Sequence, residues 1–174
     1  SRMKQDTLKQ LLENQAAKKA VALATDMESG EQTLIYRDSA EGPDANNQEI
    51  LSITRQAIQD DRSKMHELGG RKIFVEVFNP PLRMLIVGAV HIAQPLSRMA
   101  SVAGYDVTVI DPRASFATDE RFPGITLNGH WPDEAMEALD PDRRTAVVTL
   151  THDPKLDDPG LEVALKSDAF YIGA

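Results

Sequence analysis

The stretch Met84-Leu85-Ile86-Val87-Gly88-Ala89-Val90-His91-Ile92-Ala93 decides the fold. Its apolar run 84–87 is short enough to be a strand buried on both faces. Gly88 supplies a tight turn, and the small Ala93 lets a following helix approach the sheet closely. A second apolar run, 106–110, ends at Asp111, roughly 20 residues after the glycine. Glycine turn, small residue and acid in this order are parts of the dinucleotide fingerprint G-x-G-x-x-G/A. Val90 departs from it. Where the fingerprint has its second glycine, the Cβ and methyls of Val90 are expected to crowd a pyrophosphate. The helix N-terminus still presents N–H groups and partial positive charge to an anion. A plain strand-to-helix turn accounts for the same residues equally well.

Outward from this stretch, short apolar runs alternate with helical spacing at 91–103, 124–127, 132–139, 145–150, 159–166 and 169–172. Strand, helix, strand in repetition predicts an α/β, Rossmann-like parallel sheet with helices on both faces. Upstream, Asn79-Pro80-Pro81 marks the boundary, because consecutive prolines remove backbone donors and impose an extended chain. The predicted division is a small α+β N-terminal domain, 1–79, and a Rossmann-like domain, 80–174. In the first, Leu8, Leu11, Leu12 and Ala16 recur at helical spacing after Asp6 or Thr7 as N-cap. Residues 20–25 and 33–36 then form a hairpin around Ser29-Gly30, and 38–47 is a polar loop. A second helix over 47–65 carries Ile50, Ile53, Ala57 and Ile58 on one side and is ended by Gly69-Gly70. Residues 72–78 alternate as a strand.

The chain has 174 residues, 41% of them hydrophobic and 26% charged, a composition that supports a folded core rather than disorder. Its formal charge of −8 argues against a nucleic-acid partner, since phosphate binding draws on surplus Lys and Arg. No apolar run approaches the roughly 18 residues that span a bilayer, and the polar start is no signal peptide, so a cytoplasmic location is expected. There is no cysteine, hence no disulfide, thiolate metal site or thiol nucleophile. Any sulfur chemistry must be performed by a partner.

Candidate site residues lie where strands end. Asp111-Pro112-Arg113 sets an anion and a cation at the carboxyl end of the second strand, where open parallel sheets bind ligands. Asp111 could accept from a hydroxyl or pterin N–H, and Arg113 could hold a phosphate or carboxylate in a fork. The alternative is an Asp–Arg pair that closes a turn. Between Phe116 and Pro123, Asp119, Glu120 and Arg121 suit a partner surface or a ligand loop equally. The densest polar cluster is Thr149-Leu150-Thr151-His152-Asp153, followed by Lys155, Asp157 and Asp158. His152 could exchange a proton near neutral pH, with Asp153 orienting it. The flanking prolines instead favour a rigid loop with helix caps, in which Asp158 is N-cap and Pro159 opens the helix. Trp131 before Pro132 is expected to anchor a helix start on the core. The four histidines lack metal-site spacing, so no protein-bound metal is expected. The serines lack a hydrolase elbow, and no loop ends in Gly-Lys-Ser/Thr.

These residues resemble the xanthine dehydrogenase accessory factor family (XdhC/CoxI). The resemblance rests on the run Pro80 to Ala93, on Asp111-Pro112-Arg113, on Thr151-His152-Asp153-Pro154-Lys155-Leu156-Asp157-Asp158, and on Asp168-Ala169-Phe170-Tyr171-Ile172-Gly173-Ala174. It covers roughly residues 80–174 and implies a Rossmann-like domain that binds the molybdenum cofactor (molybdopterin). It further implies support of cofactor sulfuration and delivery to an apo-molybdoenzyme such as xanthine or carbon monoxide dehydrogenase. A cysteine desulfurase and a second copy of the chain are further partners to consider. The implied protein is a cofactor chaperone, whose pocket is formed by Gly88, His91, Asp111, Arg113, Thr151, His152 and Asp153. The family usually reads Gly-Ala-Gly-His where this chain has Gly88-Ala89-Val90-His91. Family members also continue past Gly173-Ala174, so the domain is expected to be cut short there. An NAD(P)-dependent oxidoreductase on the same fold and a ligand-free scaffold are the rivals, and fold alone does not separate them.

Overall fold

The computed structural model describes residues 4–174. The chain divides into two compact units, Ser1–Pro80 and Pro81–Ala174, meeting at the paired prolines.

The first unit contains α1 (Gln5–Ala16), β1 (Val21–Asp26), β2 (Gln32–Ile35), β3 (Ala40–Glu41), α2 (Gln48–Asp60), β4 (Lys64–Leu68) and β5 (Arg71–Phe78). Its strands form an antiparallel sheet in the order β3-β2-β1-β5-β4. Strand β1 is central and buried throughout, and its pleat feeds two cores. Ala22 and Ala24 join Ile35, Ile73 and Val75 beneath Ile50, Leu51 and Ala57 of α2. Val21 and Leu23 join Leu34 against Leu11 of α1. Helix α2 begins at Asn47, whose side chain accepts from the Ile50 N–H. It ends earlier than its sequence suggests, because Asp61 turns left-handed (φ 51°) and residues 64–68 become a strand. Gly69-Gly70 therefore does not stop a helix. Both glycines have positive φ (55° and 80°) and form the turn between β4 and β5, which pair from Lys64–Val75 to Leu68–Arg71. At the end of this hairpin, Arg71 bridges Asp26 (2.8 Å) and Asp44 (2.8 Å). Two loop N–H groups, of Ser29 and Glu28, also donate to Asp26. With the Arg71 contact they hold its carboxyl at about 2.

The second unit contains β6 (Arg83–Val87), α3 (Ala93–Val102), β7 (Asp106–Ile110), β8 (Thr126–Asn128), α4 (Pro132–Leu139), β9 (Thr145–Thr149), α5 (Pro154–Lys166) and β10 (Tyr171–Gly173). The strands are parallel, in the order β10-β9-β6-β7-β8. Counted from β6 this is 5-4-1-2-3, the Rossmann arrangement, with the order reversing between β6 and β9. Alternate residues of β6 face opposite layers. Ile86 packs with Val109, Ala93 and Ala100 of the α3 layer, while Leu85 and Val87 pack with Ala135, Met136 and Ala164 of α4 and α5. The expected α/β fold with helices on both faces is the observed one.

Two local expectations fail. Helix α5 starts at Pro154, not at Pro159: Asp153 is its N-cap, accepting from the Lys155 N–H at 3.0 Å, and Pro159 lies inside the helix. Tertiary packing outweighs the cost of an internal proline here. Leu156 is buried, and Gly160 lets the helix approach so closely that a Cβ there would lie 3.3 Å from both Pro132 Cβ and Val87 Cγ2. Trp131 is the N-cap residue of α4 but is half exposed, and Pro132 is the residue buried at that helix start.

Candidate functional site

Ligands of open parallel sheets bind outside the strands' carboxyl ends where the strand order reverses. In this chain that place lies between the ends of β6 and β9. The Gly88 N–H continues the sheet by donating to Ile110 O (2.8 Å), and the Leu150 N–H donates to Val87 O (3.0 Å). The two outgoing loops touch: a Cβ built on Gly88 would lie 2.6 Å from Thr151 Cγ2 and 3.3 Å from the Thr151 N. Gly88 also has φ +112°, a conformation that side chains resist. The glycine of the fingerprint is therefore needed for backbone geometry and for the approach of Thr151.

Asp111, predicted to face a ligand, is turned inward and almost fully buried. One carboxylate oxygen accepts from the Ala89 N–H (2.8 Å) and from Arg113 Nη2 (2.8 Å). The other accepts from the Arg113 N–H (2.9 Å) and Nε (2.9 Å). This is the alternative reading of the Asp–Arg pair, in a buried form: the carboxylate ties the glycine turn to the end of β7. Burial pushes the Asp111 carboxyl up, but the Arg113 fork and the two N–H donors outweigh it, and the group stays below the usual carboxylate range. Arg113 is correspondingly held more basic, first by its hydrogen bonds to Asp111 and more weakly by the fields of Asp153 and Asp157. One third of the Arg113 side chain remains exposed, and its guanidinium lies 4.1 Å above the Phe116 ring.

The β9 loop is organised by a residue absent from the predicted pocket. Asp157, in the first turn of α5, is buried, and it accepts from Thr151 Oγ1 (2.6 Å), the Thr151 N–H (3.2 Å) and the His152 N–H (2.8 Å). His152 adopts the left-handed conformation (φ 58°) and is exposed. His91 is exposed on the β6 loop, and Asp153 serves as the helix cap. The structure thus brings Gly88, Asp111, Arg113, Thr151, His152 and Asp153 to one edge of the sheet, with His91 on the loop after Gly88. Asp111 and Asp153 are committed to internal hydrogen bonds there.

Sequence reasoning placed Arg121 on a partner surface or a ligand loop and missed its internal role. Its Nη1 donates to Ala89 O (2.7 Å) and to Phe116 O, and its guanidinium lies 5.3 Å from the centre of the buried Phe122 ring. The segment after Arg113 is therefore a strap fastened across the glycine turn. Val90 is partly buried and packs against the core cluster that contains Ile86, Ala89 and Phe122. Only the placement of Arg121 between two aromatic residues hinted at this.

Comparison with known proteins agrees with this architecture. Residues 84–174 match the XdhC Rossmann domain family. The YqeB protein of Escherichia coli (strain K12) is 29% identical over 98 residues, 54% of this chain and 18% of its own length. A crystal structure from Bacillus halodurans, described as a xanthine dehydrogenase, superposes with a TM-score of 0.76 at 22% identity, over 97% of this chain and 51% of its own. The chain spans about half of that solved relative and less than a fifth of YqeB.

Proposed function

Because this chain belongs to the XdhC Rossmann domain family, we propose that it serves molybdoenzyme maturation by holding the molybdenum cofactor at the β6–β9 crevice. In this reading the cofactor is cargo. The chain binds it without reacting with it, assists its sulfuration and passes it to a xanthine dehydrogenase- or carbon monoxide dehydrogenase-type apoenzyme in the cytoplasm. Having no cysteine, the chain leaves sulfur transfer to a partner such as a cysteine desulfurase.

The observation that carries this reading is the internal commitment of Asp111. On a dinucleotide-binding Rossmann domain the acid at this strand end accepts from the ribose hydroxyls. Here each carboxylate oxygen already accepts two hydrogen bonds from Ala89 and Arg113. The exposed side chains at the crevice are the Arg113 edge, His91 and His152. These donors suit a pterin ring and its phosphate better than a nicotinamide ribose. No helix among the described residues is long and apolar enough to cross a membrane.

The test is calorimetric titration with purified molybdenum cofactor, NAD(H) and NADP(H) in parallel. Saturable uptake of the molybdenum cofactor alone is expected. Saturable nicotinamide binding with turnover would replace the proposal by an oxidoreductase, and binding of none of the three would leave a scaffold.

A further inference from the structure

We propose that Asp157 is a positioning residue, a buried carboxylate that presets the Thr151-His152 segment for ligand capture. The inference rests on the reading of the β6–β9 crevice as a cofactor site. It adds a residue that the sequence reading names only within the polar cluster ahead of the expected helix.

A non-glycine residue at φ 58° is uncommon and is strained unless its surroundings fix it. His152 is exposed, so packing does not fix it. The restraint comes from hydrogen bonds: Asp157 accepts from the His152 N–H at 2.8 Å through one oxygen, and from Thr151 Oγ1 at 2.6 Å and the Thr151 N–H at 3.2 Å through the other. Thr151 Oγ1 in turn accepts from the Asp153 N–H at 3.0 Å. A carboxylate is the group this pattern demands, since it accepts at both oxygens and donates at neither. Placing it one helical turn beyond the Asp153 cap anchors the loop to α5, whose Leu156 and Gly160 are buried in the domain. Thr151 is also the residue that touches Gly88. One buried side chain therefore sets the distance between the two loops of the crevice and the direction in which the His152 imidazole leaves the backbone.

Asp157→Asn tests this, because it keeps the volume and turns one acceptor into a donor facing N–H groups. Amide hydrogen exchange at Thr151 and His152 should accelerate at least tenfold, with β6 and β7 amides unchanged. Molybdenum cofactor affinity should fall about tenfold. In a His152→Gly background, where φ 58° carries no strain and no imidazole remains to be aimed, Asp157→Asn should cost little further affinity. A merely structural acid would give additive losses. Should Asp157→Asn not fold, Thr151→Val removes one donor and keeps the carboxylate, and should still raise His152 exchange several-fold. Unchanged exchange in these variants, or additive affinity losses, overturns the proposal. If the parent protein takes up no cofactor while exchange responds as stated, the cofactor reading fails and capture by Asp157 positioning is refuted with it; if the parent binds cofactor and Asp157→Asn binds equally well, only the positioning role is lost.

Discussion

At Asp111 a single acid decides between a ligand contact and an internal tie. Because the carboxylate is 1% exposed and accepts from Ala89 and Arg113, Asp111→Ala should leave a buried N–H and an arginine without their acceptor. Loss of one partner of a buried pair costs about 3–5 kcal/mol, and the partly exposed Arg113 brings the expectation toward the lower figure. Urea unfolding measures it, and a change under about 0.5 kcal/mol would show that Asp111 is not a structural tie. Gly88 gives a second residue-scale prediction. Gly88→Ala forces a Cβ to 2.6 Å from Thr151 Cγ2 at φ +112°, and strain of this kind costs on the order of 1–3 kcal/mol. Thr151→Ser removes the methyl and should restore only part of the loss in thermal melting, since the backbone strain remains. The sequence singled out both residues. It did not say what either one faces, because the partners of Asp111 depend on how the turn after β6 lies against the end of β7.

The start of α5 is where local signals and tertiary packing disagree. Asp158-Pro159 has the chemistry of an N-cap followed by an N1 proline, yet the helix begins one turn and a half earlier, at Asp153-Pro154, which has the same chemistry. Local propensity could not choose between two equal Asp-Pro signals. Burial of Leu156, Asp157 and Gly160 in the domain chooses the first. Two single substitutions separate these starts: Asp153→Ala should cost about 1 kcal/mol through loss of the cap, whereas the exposed Asp158 should tolerate alanine within about 0.5 kcal/mol. Equal effects in chemical denaturation would contradict the observed helix start. The Gly69-Gly70 turn teaches the same point. The pair was legible as a break, but a helix stop and a hairpin turn use glycine for the same reason, and only the pairing of β4 with β5 distinguishes them.

Across the whole molecule, both units carry arginine-paired carboxylates held below their ordinary range, Asp26 in the first and Asp111 and Asp142 in the second. A carboxyl with a lowered folded value stabilises the fold above its unfolded value and loses that contribution as pH falls toward the folded one. For Asp26 the window runs from 3.8 down to about 2, so Asp26→Asn should flatten the fall of stability with acid in that range. An unchanged slope in acid-induced unfolding, followed by circular dichroism, would contradict this. The sequence by itself determined the parallel α/β class of 84–174, because buried strands and amphipathic helices write their periods directly into residue order. It also suggested a boundary at Asn79-Pro80-Pro81, because proline acts through its own backbone, and strand ends where polar residues gather. Only the tertiary structure decided that Asp111 points inward, that Arg121 straps the glycine turn, and that Asp157 holds Thr151 and His152. Each of these is a hydrogen bond between segments brought together by the sheet, and the energy of such a bond depends on a distance that no local pattern encodes.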